Sequence, residues 1–273
     1  MNAVCPLCPR HCSIAPGEYG FCRARQNRQG EIVAANYGQV TALALDPLEK
    51  KPFARFYPGG YVLSAGSYGC NFRCPFCQNH SISMDSAAPA VYISPEELVA
   101  QGERCRKQGN IGLAFTYNEP LVGYEYVMDC AVLARQAGLR TVLVTNGGIE
   151  AAYWQKLLPW IDAVNIDLKA FRPEFYEKIG GDLTTVKQNI AGTCGRSHME
   201  ITTLVIPGEN DGDDEIEALA AWLAALDPHI PLHLSRFFPR YQWANRQPTE
   251  VSRIYRLADV ARAHLRYVYC GNC

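Results

Sequence analysis

The feature that most constrains this chain is a loop with three closely spaced cysteines, Cys70, Cys74 and Cys77. Their spacings are four and three residues, and the aromatic Phe76 lies directly before the last cysteine. A [4Fe–4S] cluster prefers a thiolate at each of its irons, so three cysteines leave one iron open to another molecule. The alternative is a zinc knuckle, although zinc sites usually combine two short Cys-x-x-Cys hooks. The spacing therefore favours a cluster with an open iron.

Length, charge and cysteine content narrow the class of protein. The 273 residues suffice for one large domain or two small ones. A formal net charge of −1 predicts neither nucleic-acid binding nor attraction to an anionic membrane surface. No apolar run approaches the roughly 20 residues of a membrane span, and the first residues lack an apolar signal segment. Twelve cysteines then indicate reduced thiols and metal ligands, so we expect a cytoplasmic enzyme.

The N-terminal part differs in composition from the rest of the chain. Residues 1–30 place four cysteines, Cys5, Cys8, Cys12 and Cys22, among prolines and glycines without helix or strand periodicity. These thiols either bind a metal, with His11 in reserve, or only pack against the main domain. Residues 31–61 predict an edge hairpin and a loop. We therefore divide the chain into a Cys-rich N-terminal extension with its lead-in, residues 1–60, and a main domain, residues 61–273.

From residue 61 onward the sequence repeats a strand followed by a helix. The predicted strands lie at residues 61–66, 111–115, 140–144, 161–166, 199–206 and 231–235, and a terminal strand lies at 265–269. Such alternation predicts an α/β fold with a parallel sheet and right-handed crossovers. A doubly wound sheet would have a glycine-rich phosphate turn after its first strand, where this chain has the cysteine loop. The other candidate is a partial (β/α)6 barrel, whose chemistry lies at the carboxyl ends of its strands.

Residues at or near the ends of the predicted strands test this idea. Because the carboxyl ends of parallel strands meet at one edge, we expect these side chains to lie near one another. Each has a plainer interpretation as well: an acid before Pro120 can simply cap its helix, and a lone histidine in a strand is often structural. The candidates, in strand order, are Glu119; Thr145 and Asn146; Asp167 and Lys169; Ile206; and His233 with Arg236.

These residues together resemble the radical S-adenosylmethionine (SAM) enzymes. The loop from Cys70 to Cys77 is similar to the family's signature, and Glu119 matches the acid of its Gly-Gly-Glu motif, although Tyr117 and Asn118 depart from the glycines. Thr145-Asn146-Gly147 followed by Asp167-Leu168-Lys169 resembles the activating enzymes of glycyl radical proteins. Further motifs look like the AmmeMemoRadiSam-system radical SAM enzymes, relatives of the pyruvate formate-lyase activating enzymes. They are Cys-x-x-Cys-Pro-Arg-x-Cys at the start, Gly59-Gly60, Cys77-Gln78-Asn79, 116–120 and 267–272.

The resemblance implies a fold, a partial (β/α)6 TIM-like barrel, and it also implies a reaction. Cys70, Cys74 and Cys77 would hold a [4Fe–4S] cluster whose open iron chelates SAM, and reductive cleavage would yield a 5′-deoxyadenosyl radical that abstracts hydrogen from an unidentified substrate. The implied cofactor contacts are Glu119 with the SAM ammonium, Asp167 with the ribose, Lys169 with the carboxylate, Ile206 with adenine, His233 with the carboxylate or substrate, and Thr145 and Asn146 beside them.

Partners and alternatives follow from the same resemblance. The reducing electron would come from flavodoxin or ferredoxin, and the substrate is a small molecule or a protein. One alternative is a glycyl-radical-enzyme activase acting on a protein backbone. Another is a non-catalytic zinc or electron-transfer iron–sulfur protein. Two alternatives stay open for the remaining cysteines. The four N-terminal cysteines and Cys270 and Cys273 build an auxiliary zinc or iron site, or the last two are free thiols on a frayed end.

Overall fold

One eight-stranded sheet organises the fold in a computed structural model, which describes residues 1–85 and 87–273. Its order is β14-β13-β12-β11-β10-β9-β7-β6; β6 is antiparallel to β7, and the other neighbours are parallel. β14 and β6 form the two edges, so the sheet is an open, partial barrel. The strands of this sheet are β6 Ala42–Pro47, β7 Tyr61–Gly66, β9 Asn110–Phe115, β10 Arg140–Thr145, β11 Ala163–Asp167, β12 His198–Val205, β13 Leu232–Arg236 and β14 Val268–Gly271.

Helices follow the parallel strands as the strand-then-helix pattern predicts. They are α1 His80–Ser83, α2 Pro95–Arg104, α3 Tyr124–Gln136, α4 Ala151–Leu157, α5 Pro173–Ile179, α6 Leu183–Thr193, α7 Asp213–Leu226 and α8 Val251–Arg262. The predicted capping of α2 is present, because the Ser94 side chain accepts a hydrogen bond of 3.2 Å from the Glu97 backbone N–H. The α/β fold with six strand–helix units is confirmed, and β14 adds a seventh parallel strand.

Short antiparallel pairs surround the sheet. They join β1 Ala3–Val4 with β2 Ser13–Ile14, β3 Arg25–Arg28 with β4 Glu31–Ala34, and β5 Gln39–Val40 with β8 Val91–Tyr92. The predicted edge hairpin is therefore wrong in its pairing: β4 pairs backward with β3, and β6 joins the main sheet. The reason is the turn between β3 and β4, where Gln29 and Gly30 both have positive φ, as a two-residue hairpin turn requires.

Loop 48–60 closes the amino-terminal end of the barrel. Leu48 and Phe53 are fully buried in it and pack in one cluster with Val62 and Val142 from the strands. The strands bury apolar side chains on both faces, as parallel strands covered by helices do. The opposite, carboxyl-terminal end of the strands carries the long loops, including the three-cysteine loop after β7. The fold therefore leaves that end for chemistry.

Candidate functional site

The cysteine loop leaves β7 and is held in place by its own aromatic residues. Cys74 is buried, while Cys70 and Cys77 are half-buried. The Phe72 backbone N–H donates a hydrogen bond of 3.3 Å to the Cys70 sulfur. Phe76 packs against Trp243, with ring centroids 5.3 Å apart. The three sulfurs therefore lie on a loop that the packing of Phe76 against Trp243 helps to hold in place.

Glu119, Thr145 and Asn146 form one buried unit at the exits of β9 and β10. The Glu119 carboxylate accepts hydrogen bonds of 2.7 Å from the Thr145 hydroxyl and 2.7 Å from the Asn146 backbone N–H. It also accepts 3.0 Å from the Leu121 backbone N–H, which caps the following turn. Burial raises the pKa of Glu119 to about 7, although these donors oppose the increase. The residue is only 3% exposed, so its carboxyl group lies inside the protein.

Asparagine side chains connect this unit to the cysteine loop. The Asn146 amide nitrogen donates to the Cys70 sulfur at 3.8 Å and to the Asn71 side-chain oxygen at 2.8 Å. Asn71 in turn donates 2.7 Å to the Gly148 carbonyl oxygen. The loop after β7 and the loop after β10 are thus one hydrogen-bonded assembly. Glu119 also raises the pKa of Cys70, after burial, because its negative charge lies close to that thiol.

Asp167 and Lys169 extend the same arc at the exit of β11. Their side chains form an ion pair with 2.8 Å between Lys169 Nζ and Asp167 Oδ2. Burial raises the pKa of Cys74 to about 12, and nearby Lys169 opposes that increase. Burial works against the Lys169 ammonium too, but Asp167 and Cys74 outweigh it and raise its pKa. The Lys169 backbone N–H donates 3.0 Å to the Tyr176 hydroxyl, which fixes this turn.

Ile206 lies at the end of β12 and is completely buried. Its backbone N–H donates 2.7 Å to the Asn210 side-chain oxygen, and the Asn210 amide donates 2.7 Å to the Lys169 carbonyl oxygen. Asn210 therefore joins the loops after β11 and β12. Asn71, Tyr176 and Asn210 were missed by the sequence analysis; Asn71 could have been noticed inside the cysteine loop, but spacing gives no signal for the other two.

His233 is not brought together with these residues. Its Nε2 lies 2.6 Å from the Glu200 carboxylate, and its ring stacks on Tyr269 at 5.1 Å. Glu200 also accepts 2.9 Å from the Ala54 backbone N–H, which belongs to the loop at the amino-terminal end of the barrel. Arg236, three residues further along β13, donates 2.6 Å to the Thr249 carbonyl oxygen. The structure thus engages both side chains with other protein groups, and we leave them out of the candidate site.

The donor set of the loop suits an iron–sulfur cluster. All twelve cysteines are free thiols, so those of the loop are available as ligands. Within residues 1–85 and 87–273, no three His, Cys, Asp or Glu side chains converge closely enough to hold a single metal ion. In the same described ranges, no helix has both the length and the apolar character needed to cross a bilayer.

Comparisons with known proteins agree with this geometry. The family model described as the radical SAM superfamily matches residues 65–223, more than half of the chain. An uncharacterized protein of Methanocaldococcus jannaschii is 39% identical over 98% of this chain and 80% of its own length. The indoleacetate decarboxylase activating enzyme of Tractidigestivibacter scatoligenes is 23% identical over 85% of this chain and 76% of its own.

A solved structure shares the fold. A domain of the pyruvate-formate lyase-activating enzyme from Bacteroides vulgatus superposes with a TM-score of 0.53 at 18% identity, covering 59% of this chain and 99% of that domain. The partial barrel predicted from the sequence is thus found in a solved neighbour, and the predicted relation to activating enzymes is found among the relatives. The family match extends from the end of β7 into α7 and so includes the loops that carry the site. The chain belongs to the radical SAM superfamily.

Proposed function

We propose that Cys70, Cys74 and Cys77 hold a site-differentiated [4Fe–4S] cluster with which the protein cleaves SAM reductively. The observation that carries the proposal is the hydrogen-bonded connection from Cys70 through Asn146 to the buried Glu119 carboxylate. Three soft donors and a buried acid thus share one end of the barrel. When bound, the cluster supplies the electron that breaks a carbon–sulfur bond of SAM.

The protein's own residues would bind and orient the cofactor. Glu119 retains lone pairs beyond its three present hydrogen bonds and would accept one from the SAM ammonium. Lys169 would pair with the SAM carboxylate, and Asp167 would accept a hydrogen bond from the ribose. Thr145 and Asn146 hold the Glu119 carboxylate in place. Buried Ile206 offers an apolar contact for adenine.

The substrate class is a narrower proposal. A relative named as an activating enzyme supports the second candidate, a glycyl-radical-enzyme activase whose substrate is a protein backbone. The partial barrel supports the same idea, because a barrel whose edge strands β6 and β14 do not join would admit a peptide loop more readily than a closed one. A small-molecule substrate is the other arm. For either one, a flavodoxin or ferredoxin in a reducing compartment would supply the electron.

The test is SAM cleavage by anaerobically reconstituted protein with dithionite. We expect 5′-deoxyadenosine and methionine from the natural sequence, and none from Cys70→Ala, Cys74→Ala or Cys77→Ala, because each removes a thiolate that holds the cluster. Chromatography of both products is the measurement. Cys105→Ala, outside the loop, is the matched control and should cleave SAM normally.

Two outcomes would contradict the proposal. Full cleavage by the Cys70/Cys74/Cys77 triple variant would show that the loop does not hold the cluster. Zinc in place of iron and sulfide in the natural protein, with no SAM cleavage, would favour the non-catalytic zinc protein. A separate measurement identifies the substrate. Deuterium transferred from a component of a cell extract into 5′-deoxyadenosine would show whether the substrate fraction is protein or small molecule.

A further inference from the structure

Four cysteines outside the proposed cluster loop line one cavity. They are Cys5, Cys8, Cys12 and Cys22, all from the N-terminal extension. The antiparallel pair of β1 and β2 brings the first three together, since the Cys5 backbone N–H donates 2.9 Å to the Cys12 carbonyl oxygen. Cys5 and Cys22 are buried, and Cys8 and Cys12 are half-buried. Four thiols on two turns therefore surround one space.

Backbone N–H groups lie close to two of these thiols. The Arg10 backbone amide lies against the Cys8 sulfur, and the amides of Ala24 and Arg25 lie against the Cys22 sulfur. The cysteine loop repeats this arrangement between Phe72 and Cys70, two residues apart. These N–H groups would serve as hydrogen-bond donors to the sulfurs of a metal-bound site.

A buried cation faces the same cavity with an unused donor. Arg25 lines the cavity and is 5% exposed, and its guanidinium forms an ion pair of 2.5 Å with Glu125. Its Nε–H is buried and has no hydrogen-bond partner. A buried donor without an acceptor is costly, and a thiolate sulfur in this cavity would accept from it. The cationic side chain would also offset the negative charge of several thiolates.

We propose that Cys5, Cys8, Cys12 and Cys22 form a second, tetrathiolate metal site, distinct from the loop of Cys70. A set of four soft thiolates takes zinc or an iron–sulfur centre. In the described residues these thiols do not converge on one ion, so metal binding would require them to turn inward. Neither Cys270 nor Cys273 is among the described residues that line this cavity, and Cys270 lies in edge strand β14.

The second site would position the proposed cluster loop. The Cys22 carbonyl oxygen accepts a hydrogen bond of 3.2 Å from the Cys70 backbone N–H. The Phe21 carbonyl oxygen accepts one from the Arg73 guanidinium. Metal bound by Cys22 therefore fixes the two backbone carbonyls on which the next loop rests.

The experiment measures metal in a Cys70/Cys74/Cys77→Ala variant made anaerobically, so that it does not depend on the proposed SAM chemistry. We expect this variant to retain either about one zinc per chain or iron with sulfide; these arms identify the centre. X-ray absorption should show sulfur ligands only. Adding Cys8→Ser and Cys22→Ser should remove the metal, whereas adding Cys270→Ser and Cys273→Ser, the matched control, should not.

A folded triple variant without metal would overturn the proposal. Loss of metal upon changing Cys270 and Cys273 instead would overturn it as well, since those thiols would then be the ligands. Should the Cys8/Cys22 variant fail to fold, the absorption spectrum of the triple variant still decides, because nitrogen or oxygen ligands exclude a tetrathiolate site. Normal SAM cleavage by the natural protein together with a metal-free triple variant would overturn only this second site.

Discussion

At the scale of single residues, the buried acid Glu119 is the most perturbed member of the candidate site. Its carboxylate is buried, and three donors from two strand exits hold it. Burial moves its pKa to about 7, so near neutrality the proton and a cationic ligand compete for the same oxygens. A SAM ammonium near Glu119 would favour the ionised carboxylate and release that proton.

Replacing this acid tests its proposed contact. Glu119→Gln should weaken SAM binding by about 1.5–3 kcal/mol, the range for losing a hydrogen bond to a charged group. Titration calorimetry on the reconstituted protein measures the affinity. Glu97→Gln, at an exposed position of α2, is the control and should bind normally. Unchanged affinity in Glu119→Gln would mean that the acid serves only to join β9 and β10.

The candidate residues that the structure brings together lie at the ends of strands. Thr145, Asn146 and Asp167 could be placed at one edge because strand ends are visible in the sequence. His233 shows the limit. Its Nε2 contacts the Glu200 carboxylate, which also accepts a hydrogen bond from Ala54 in loop 48–60. Which level a side chain occupies depends on register and on loop 48–60, and neither is readable from one strand.

At the scale of elements, Glu200 fastens that loop to the sheet. Its carboxylate accepts 2.9 Å and 2.8 Å from the backbone N–H groups of Ala54 and Arg55, and it contacts His198 and His233. Burial acts to raise the pKa of Glu200, but these hydrogen bonds outweigh it and lower the value to about 2. The ionised acid therefore holds the floor of the barrel.

The pH dependence of stability should reveal this contact. The depressed pKa contributes to the free energy of unfolding above about pH 4.5, and the contribution is lost as the pH falls toward 2. At about 1.4 kcal/mol per pKa unit it amounts to about 3 kcal/mol. Denaturant unfolding should show Glu200→Gln less stable than the natural sequence at pH 7, with the difference shrinking below pH 4.5. Exposed Glu174→Gln is the control, and a difference that persists at low pH would contradict the assignment.

Elements were predicted better than their partners. Each parallel strand and the start of α2 followed from apolar periodicity and a capping serine. The pairing of β4 did not, because it depends on backbone angles at Gln29 and Gly30. The terminal strand was placed a few residues early: Leu265 is buried beyond α8, and the strand itself begins at Val268. Hydrophobicity marks burial in both places and cannot distinguish a strand from the turn before it.

At the scale of the whole molecule, the proposed cluster loop is held by segments distant in sequence. The Cys22 carbonyl oxygen supports Cys70 from one side. From the other, the backbone N–H groups of Gln242 and Trp243 donate 3.0 Å and 3.2 Å to the Pro75 carbonyl oxygen. The sequence predicted a meeting of the two chain ends through Cys270 and Cys273. That meeting stays a prediction. The contacts that hold the loop use backbone groups, which carry no sequence signature.

Trp243 should therefore affect how firmly iron is retained. The Phe76–Trp243 ring contact lies one residue from Cys77, and such aromatic pairs contribute about 0.5–1.5 kcal/mol. Trp243→Ala should consequently release iron to a chelator about 2- to 10-fold faster than the natural protein. The loss of the cluster's absorbance measures the rate. Trp160→Ala, away from the loop, should match the natural protein. Equal rates for all three proteins would show that the ring contact does not support the cluster.

The carbonyl of Pro75 also sets an order of events during synthesis. The two residues that donate to it, Gln242 and Trp243, are synthesised about 170 residues after the loop itself. Before those residues are synthesised, the loop of Cys70, Cys74 and Cys77 lacks these two hydrogen bonds, and its thiols are more accessible to oxidants and to other metals. Insertion of the proposed cluster would consequently be a late step in maturation, and the nascent chain would have to keep these sulfurs reduced while the remaining barrel is made.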